Sequence, residues 1–218
     1  MVSRSGQPGR DDGRHWLPSQ GVDPAPLAEL NAECLGLLVM RAADLGVAEV
    51  APPLLVALRG SWAALSAQAV RRLSAAPFSL FDAGFASAPR WLELRTRGVH
   101  DQAQRVEPAY FELAAARSIT RRMLVYGWHL ARSRPRAACL VFGSTISAIE
   151  SLAACSLTAL EAAAERNADA LRPRWPNQIA FWNALLSASS IGADTRLHEL
   201  LLGGIQRLAA ESLAAHAP

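Results

Sequence analysis

Between Ile119 and Leu130 the apolar positions fall at i, i+4, i+7 and i+11, namely Ile119, Met123, Tyr126 and Leu130. That spacing predicts one apolar stripe along an α-helix. At about 100° per residue it places Arg117, Arg121 and Arg132 on the opposite side, within roughly 60° of one another. Pro135 should end the helix, because it has no N–H to donate and its ring clashes with the preceding turn.

The same period runs through most of the chain. Leu27, Leu30, Cys34, Leu37 and Leu38 share one side of a helix that begins near Pro26. "APPLLVALRG" starts a second helix with prolines in its first turn, where a missing N–H does little harm. "LSAQAVRRLSAAP" is a third, with Ser66 as N-cap and Pro77 as stop. "FSLFDAGFASAPRW" is aromatic-rich and should be packed. Residues 95 to 108 are polar and aperiodic, which reads as a linker. A last helix is expected from about Thr195 to Ala215. No stretch alternates apolar and polar long enough for a half-buried strand, so the expected fold class is all-α. The expected layout is a disordered tail over 1–26, a helical unit over 27–94, a linker with the start of the basic helix over 95–118, and a second unit over 119–215.

"FGSTISAIESLAACSLTALEAAAE", residues 142 to 165, has the pattern of two short helices folded back at Cys155-Ser156. Such a hairpin either reads DNA or fills a core. A recognition helix presents Arg, Lys, Asn or Gln to the major groove. Here its exposed positions offer Ala162, Glu161, Glu165 and Arg166, with Thr158 and Glu161 spaced as a capping box. Two glutamates face phosphates poorly. Ile146, Ile149, Leu152, Leu157 and Leu160 supply an apolar seam, so packing is the favoured role.

The two halves rhyme. "SWAALSAQAVRRLSAAP" from Ser61 lies over "SLAACSLTALEAAAERN" from Ser151, placing Trp62 on Leu152 and Ser66 on Ser156. "LAELNAECLGLL" would then match "ITRRMLVYGWHL". Both a diverged tandem repeat and coincidence in an Ala-rich chain account for this.

Charge sharpens the picture. All 22 basic residues are Arg, and the net charge is +3. Between Glu112 and Glu150 there is no acid, while Arg117, Arg121, Arg122, Arg132, Arg134 and Arg136 fall there. Such a block can steer polyanions, and the planar guanidinium suits phosphate. Arg172 and Arg174 belong to a second Arg-Pro-Arg, a tripeptide able to enter an A·T-rich minor groove. Cys34, Cys139 and Cys155 lack metal-ligand spacing and sit among apolar neighbours, as free thiols of a reducing compartment do. The first residues carry no apolar core of signal-peptide length, and the charge-free run from Pro176 to Ala193 is a poor membrane span. A cytoplasmic location without membrane contact is expected.

From Ile119 to Trp175 the pattern resembles the bacterial flagellar transcriptional activator FlhD, without a gap. The helix "ITRRMLVYGWHLARSRPRAACLVFG" ends at Gly143; "SLAACSL" follows like the family's Leu-Ala-Ala and Thr-Leu stretch. "AAAERN" resembles its Leu-Ala-Glu and Asn, and Arg174-Trp175 sit where it has Arg and an aromatic. "LHELLLGGIQRLA" is similar to its last helix after a short insertion. The resemblance implies an all-α regulator whose homodimers join a zinc-containing partner, FlhC, at flagellar promoters. Leu171 stands in place of the family's cysteine, so no intersubunit disulfide is implied. The chain is about twice the family's usual length, so a repeat would make one chain a pseudo-dimer.

Enzyme chemistry finds no foothold. "FGSTIS" lacks the second Gly and the Lys of a phosphate-binding loop, and no G-x-S-x-G is present. The five histidines, His129 among them, pair with no Cys or carboxylate at ligand spacing. No cofactor and no metal is implied. The expected function is transcriptional regulation with a protein partner, and DNA contact through Arg117, Arg121, Arg122, Arg132, Arg134, Arg136, Arg172 and Arg174. The alternative is a helical adaptor that binds an acidic protein without DNA.

Overall fold

Two long helices set the plan of the molecule, each built on a buried stripe. The computed structural model describes residues 23–46, 50–85 and 108–214; the tail and linker expected from the sequence fall largely outside these. Helix α1 (Ala25–Asp44) opens on prolines, and α5 (Leu113–Ser133) stops one residue short of Arg134-Pro135. Between them come α2 (Pro53–Ala57), α3 (Arg59–Ala63), α4 (Ala67–Ser74) and the two-residue strand β1 (Phe81–Asp82). After α5 follow α6 (Pro135–Phe142), α7 (Ile146–Ala153), α8 (Leu157–Asn167), a single 3-10 turn and strand β2 (Arg172–Pro173). Helices α9 (Ile179–Ile191) and α10 (Asp194–Ala214) complete the chain. The fold is all-α. The two strands are too short for any alternation to show in the sequence.

The hairpin of residues 142 to 165 is α7 and α8. Its caps are hydroxyls: Thr145 Oγ1 accepts from the Ala148 N–H at 3.3 Å, and Ser156 Oγ from the Ala159 N–H at 3.2 Å. Ser156, not Thr158, is therefore the N-cap. Thr158 is the second residue of α8, inside the helix and beyond the capping position. The seam is also narrower than expected. Ile149, Leu152 and Leu160 are buried, whereas Ile146 and Leu157, the first residues of their helices, are exposed.

Helix α1 packs on α3 and α4 as α5 packs on α7 and α8. The correspondence is residue by residue. Buried Leu27, Leu30, Asn31, Cys34, Leu35, Leu38 and Ala42 match buried Ala116, Ile119, Thr120, Met123, Leu124, Gly127 and Ala131, each 89 positions later. This corrects the helix alignment expected from the sequence, which is three residues further along. The hairpins follow at a shift of 90. Ser66 caps α4 as Ser156 caps α8, and buried Trp62, Leu65 and Leu73 correspond to buried Leu152, Cys155 and Ala163.

The units meet through equivalent residues at two places. β1 pairs antiparallel with β2, with Asp82 directly opposite Arg172, its own counterpart at a shift of 90. A hydrogen bond from Arg174 N–H to Leu80 O at 2.9 Å extends the ladder. Glu33 forms an ion pair with Arg122, its counterpart at a shift of 89. Residues meeting their own equivalents are what a two-fold interface produces.

The halves are not separate domains, because one core runs through both. α9 reaches back onto α3 and α4. There Trp182 meets Trp62, with ring centroids 5.4 Å apart. Phe85 of the first unit stacks on Phe142 of the second at 4.1 Å. Gly127 accommodates that ring, since a Cβ there would lie 2.5 Å from Phe85. Among the described residues no single helix is long and apolar enough to cross a membrane.

Candidate functional site

The arginine row is built by α5 and its break. Burial of Ile119, Met123 and Leu130 turns Arg117, Arg121, Arg122 and Arg132 outward. Arg134 joins α5 to α6 in a non-helical conformation (φ −150°, ψ 71°), and Arg136 is exposed in the first turn of α6. Six of the eight expected contact residues thus share one strip of surface.

The strip is not uniformly basic. Arg117 pairs with Glu165 at 3.0 Å and Arg121 with Glu161 at 2.6 Å, both glutamates on α8; Arg122 pairs with Glu33 of α1. These acids arrive from other segments, so the acid-free run in sequence gave no sign of them. All the pairs are largely exposed, and such pairs contribute about 0–1 kcal/mol each. They also place three negative charges beside three of the six arginines. Arg132 lies over the Trp128 ring at 4.7 Å, a cation–π contact that leaves its charge in place. Among the described residues Arg132, Arg134 and Arg136 have no carboxylate at ion-pair distance. They form the uncompensated end of the strip, where the C-terminal dipole of α5 also attracts cations. Along the ion-paired part of the strip runs an open groove of about 510 Å³ lined by Ser118, Arg121, Arg122, Val125, Tyr126 and His129.

Arg172 and Arg174 lie elsewhere, on β2 and just after it. Arg174 is buried, only 7% exposed, which removes it from any nucleic-acid contact. Its Nε donates to Ser79 O at 2.7 Å and its Nη2 to Phe142 O at 2.5 Å. Burial pushes its pKa below the ordinary arginine value, while Asp82 and Glu211 pull it upward. The guanidinium thus ties the end of α6 to the segment before β1, and its own carbonyl accepts from Trp182 Nε1 at 2.7 Å. Gly143 makes room for it. At φ +55 it adopts the left-handed conformation that ends α6, and a Cβ there would stand 3.0 Å from Arg174 Nη1.

The chain matches no family model, no curated protein and no solved structure. Geometry alone therefore bears on the site.

Asp82, Thr145, Arg172, Arg174, Trp175 and Glu211 surround a cavity of about 170 Å³ beside the ladder. Sequence reasoning missed this site, because its members come from four separated segments that only the tertiary fold brings together. Trp175 is the one non-glycine residue with positive φ (48°) among the described residues, and its indole N–H donates to Glu211 Oε1 at 2.6 Å. Elsewhere, His129 is exposed, and no group of three or more His, Cys, Asp or Glu side chains gathers among the described residues.

Proposed function

We propose that this chain is an FlhD-like transcriptional regulator in which one polypeptide takes the part of a homodimer. It acts with a protein partner, and meets DNA through Arg132, Arg134 and Arg136. The observation that carries this reading is the pseudo-two-fold arrangement, in which Asp82 faces Arg172 and Glu33 faces Arg122 across equivalent positions. In a homodimer each of those residues would face its own copy, and like charges would meet. Fusing two copies allows the axis to carry opposite charges, and it frees one half to hold a basic strip the other lacks. The counterparts of Arg117, Arg121 and Arg122 are Ala28, Ala32 and Glu33.

The adaptor reading has its own support. Glu33, Glu161 and Glu165 share the strip with the arginines, and a mixed-charge face suits a protein surface better than a phosphate lattice. Salt titration separates the two. If phosphates are contacted, log affinity falls with log salt by about 0.9 per contact on duplex DNA. Charge reversal at Arg132 and Arg136 should weaken binding to all sequences and leave the fold intact, since neither is in the core. Absence of binding by the wild type at low salt, with and without a co-purified partner, would discard the DNA contact and leave the adaptor.

A further inference from the structure

The cavity beside the β1–β2 ladder has features that packing does not require. Asp82 and Arg172 stand directly opposite on an antiparallel ladder, where Cβ atoms are about 4.5–5.5 Å apart and opposite charges normally pair. No ion pair forms between them. Asp82 instead uses Oδ1 to accept from the Gly84 and Phe85 N–H groups, both at 3.1 Å. Arg174 is buried on the same wall and hydrogen-bonds only to carbonyls, with no carboxylate at ion-pair distance. Asp82 and Glu211 favour its charge from beyond that distance. Trp175, also on the wall, holds a backbone conformation that side chains rarely adopt. Such strain clusters at ligand clamps.

The first unit carries different residues at the corresponding positions. The counterparts of Arg174 and Trp175 are Gly84 and Phe85, and Phe85 is buried in its stack on Phe142. The cavity occurs where two arginines and two carboxylates converge.

We propose that this cavity binds a small amino acid as its zwitterion, the carboxylate toward Arg172 and Arg174 and the ammonium toward Asp82 and Glu211. Charge balance decides the class. Two guanidinium and two carboxylate groups make the lining formally neutral. A simple anion gains from the arginines but meets two carboxylates, and a simple cation meets two arginines. A molecule with both charges satisfies both sides. Size fits as well: about 170 Å³ is close to the roughly 150 Å³ of an engineered cavity that takes benzene. Thr145 leaves a polar contact for a short side chain, although its Oγ1 already accepts from Ala148 N–H.

Thermal denaturation and calorimetric titration of the full chain test this. The probes are L-alanine, L-serine, L-threonine and L-valine, with propionate and ethylamine as half-ligand controls. At least one amino acid should raise the melting temperature by about 5–10 °C at ~100 times its Kd. Propionate and ethylamine should give much smaller shifts. Arg172→Gln and Glu211→Gln alter side chains outside the hydrophobic core, so both variants should fold. Each should lose the response. Three results would each overturn the proposal: no amino acid binding up to ~10 mM, ten times a millimolar Kd; propionate alone acting as strongly; or a full response in both variants.

Discussion

The two halves of this chain share a frame and differ in what they hang on it. Both lay a long helix over a serine-capped hairpin and end in a short strand at the axis. The first half completes its core with aromatics: Trp62, Phe78, Phe81 and Phe85 are all buried. The second half occupies the equivalent positions with Leu152, Ala168, Leu171 and Trp175, and adds α6, an arginine strip and the buried Arg174. One half fills its core with large aromatics, while the other carries the arginine strip and the buried Arg174. The two halves share helix order and buried positions, so the surface of one differs while the frame stays the same.

The largest test of this contrast lies at Trp62. Trp62→Ala empties a site shared by α1, α3 and α9 and should destabilise the chain by about 3–5 kcal/mol. Its counterpart change, Leu152→Ala, removes a smaller side chain and should cost about 2–5 kcal/mol. Denaturant titration measures both. A larger loss at Leu152 would contradict that contrast.

A second pair tests the helices. Asn31 donates through Nδ2 to Ser74 O and Phe78 O at 3.3 and 3.1 Å, and accepts from Leu80 N–H at 2.9 Å. Its counterpart Thr120 is buried with a hydroxyl that has no partner. Asn31→Ala should therefore cost about 3 kcal/mol, since it strands several buried backbone groups. Thr120→Val removes an unsatisfied hydroxyl at nearly constant shape and should be neutral or stabilising. Equal losses at the two sites would contradict the assignment of their roles.

The caps give the smallest effects. Ser66→Ala and Ser156→Ala should each cost about 1 kcal/mol, while Thr158→Ala should stay within about 0.5 kcal/mol. Thermal melts of the three variants suffice. A loss at Thr158 equal to that at Ser156 would move the start of α8.

Much of the frame was legible in the sequence. The 3.6-residue period located α1 and α5, Pro135 marked the break, and Ser66 announced its cap, because each signal is local. The repeat was visible at Ser66 and Ser156 but misaligned by three residues in the long helices. There, Ala and Leu match at several registers, and only burial separates them. Ile146 and Leu157 looked like seam residues because periodicity does not show that a helix's first turn projects past its partner. The strip was legible as a cluster of arginines and illegible as a charge pattern, since Glu33, Glu161 and Glu165 reach it through tertiary packing. Arg174 illustrates the same limit. An Arg-Pro-Arg suggests an exposed cation, yet the fold turns this guanidinium onto the carbonyls of Ser79 and Phe142.

The central claim is that one chain stands in for two protomers. Sedimentation equilibrium of the purified protein addresses it most directly. With both sides of the axis supplied from within, the protein should remain a single chain of 23.3 kDa across the concentration range. A stable particle of twice that mass would show that the axis inside the chain does not replace an axis between chains, and would contradict the account.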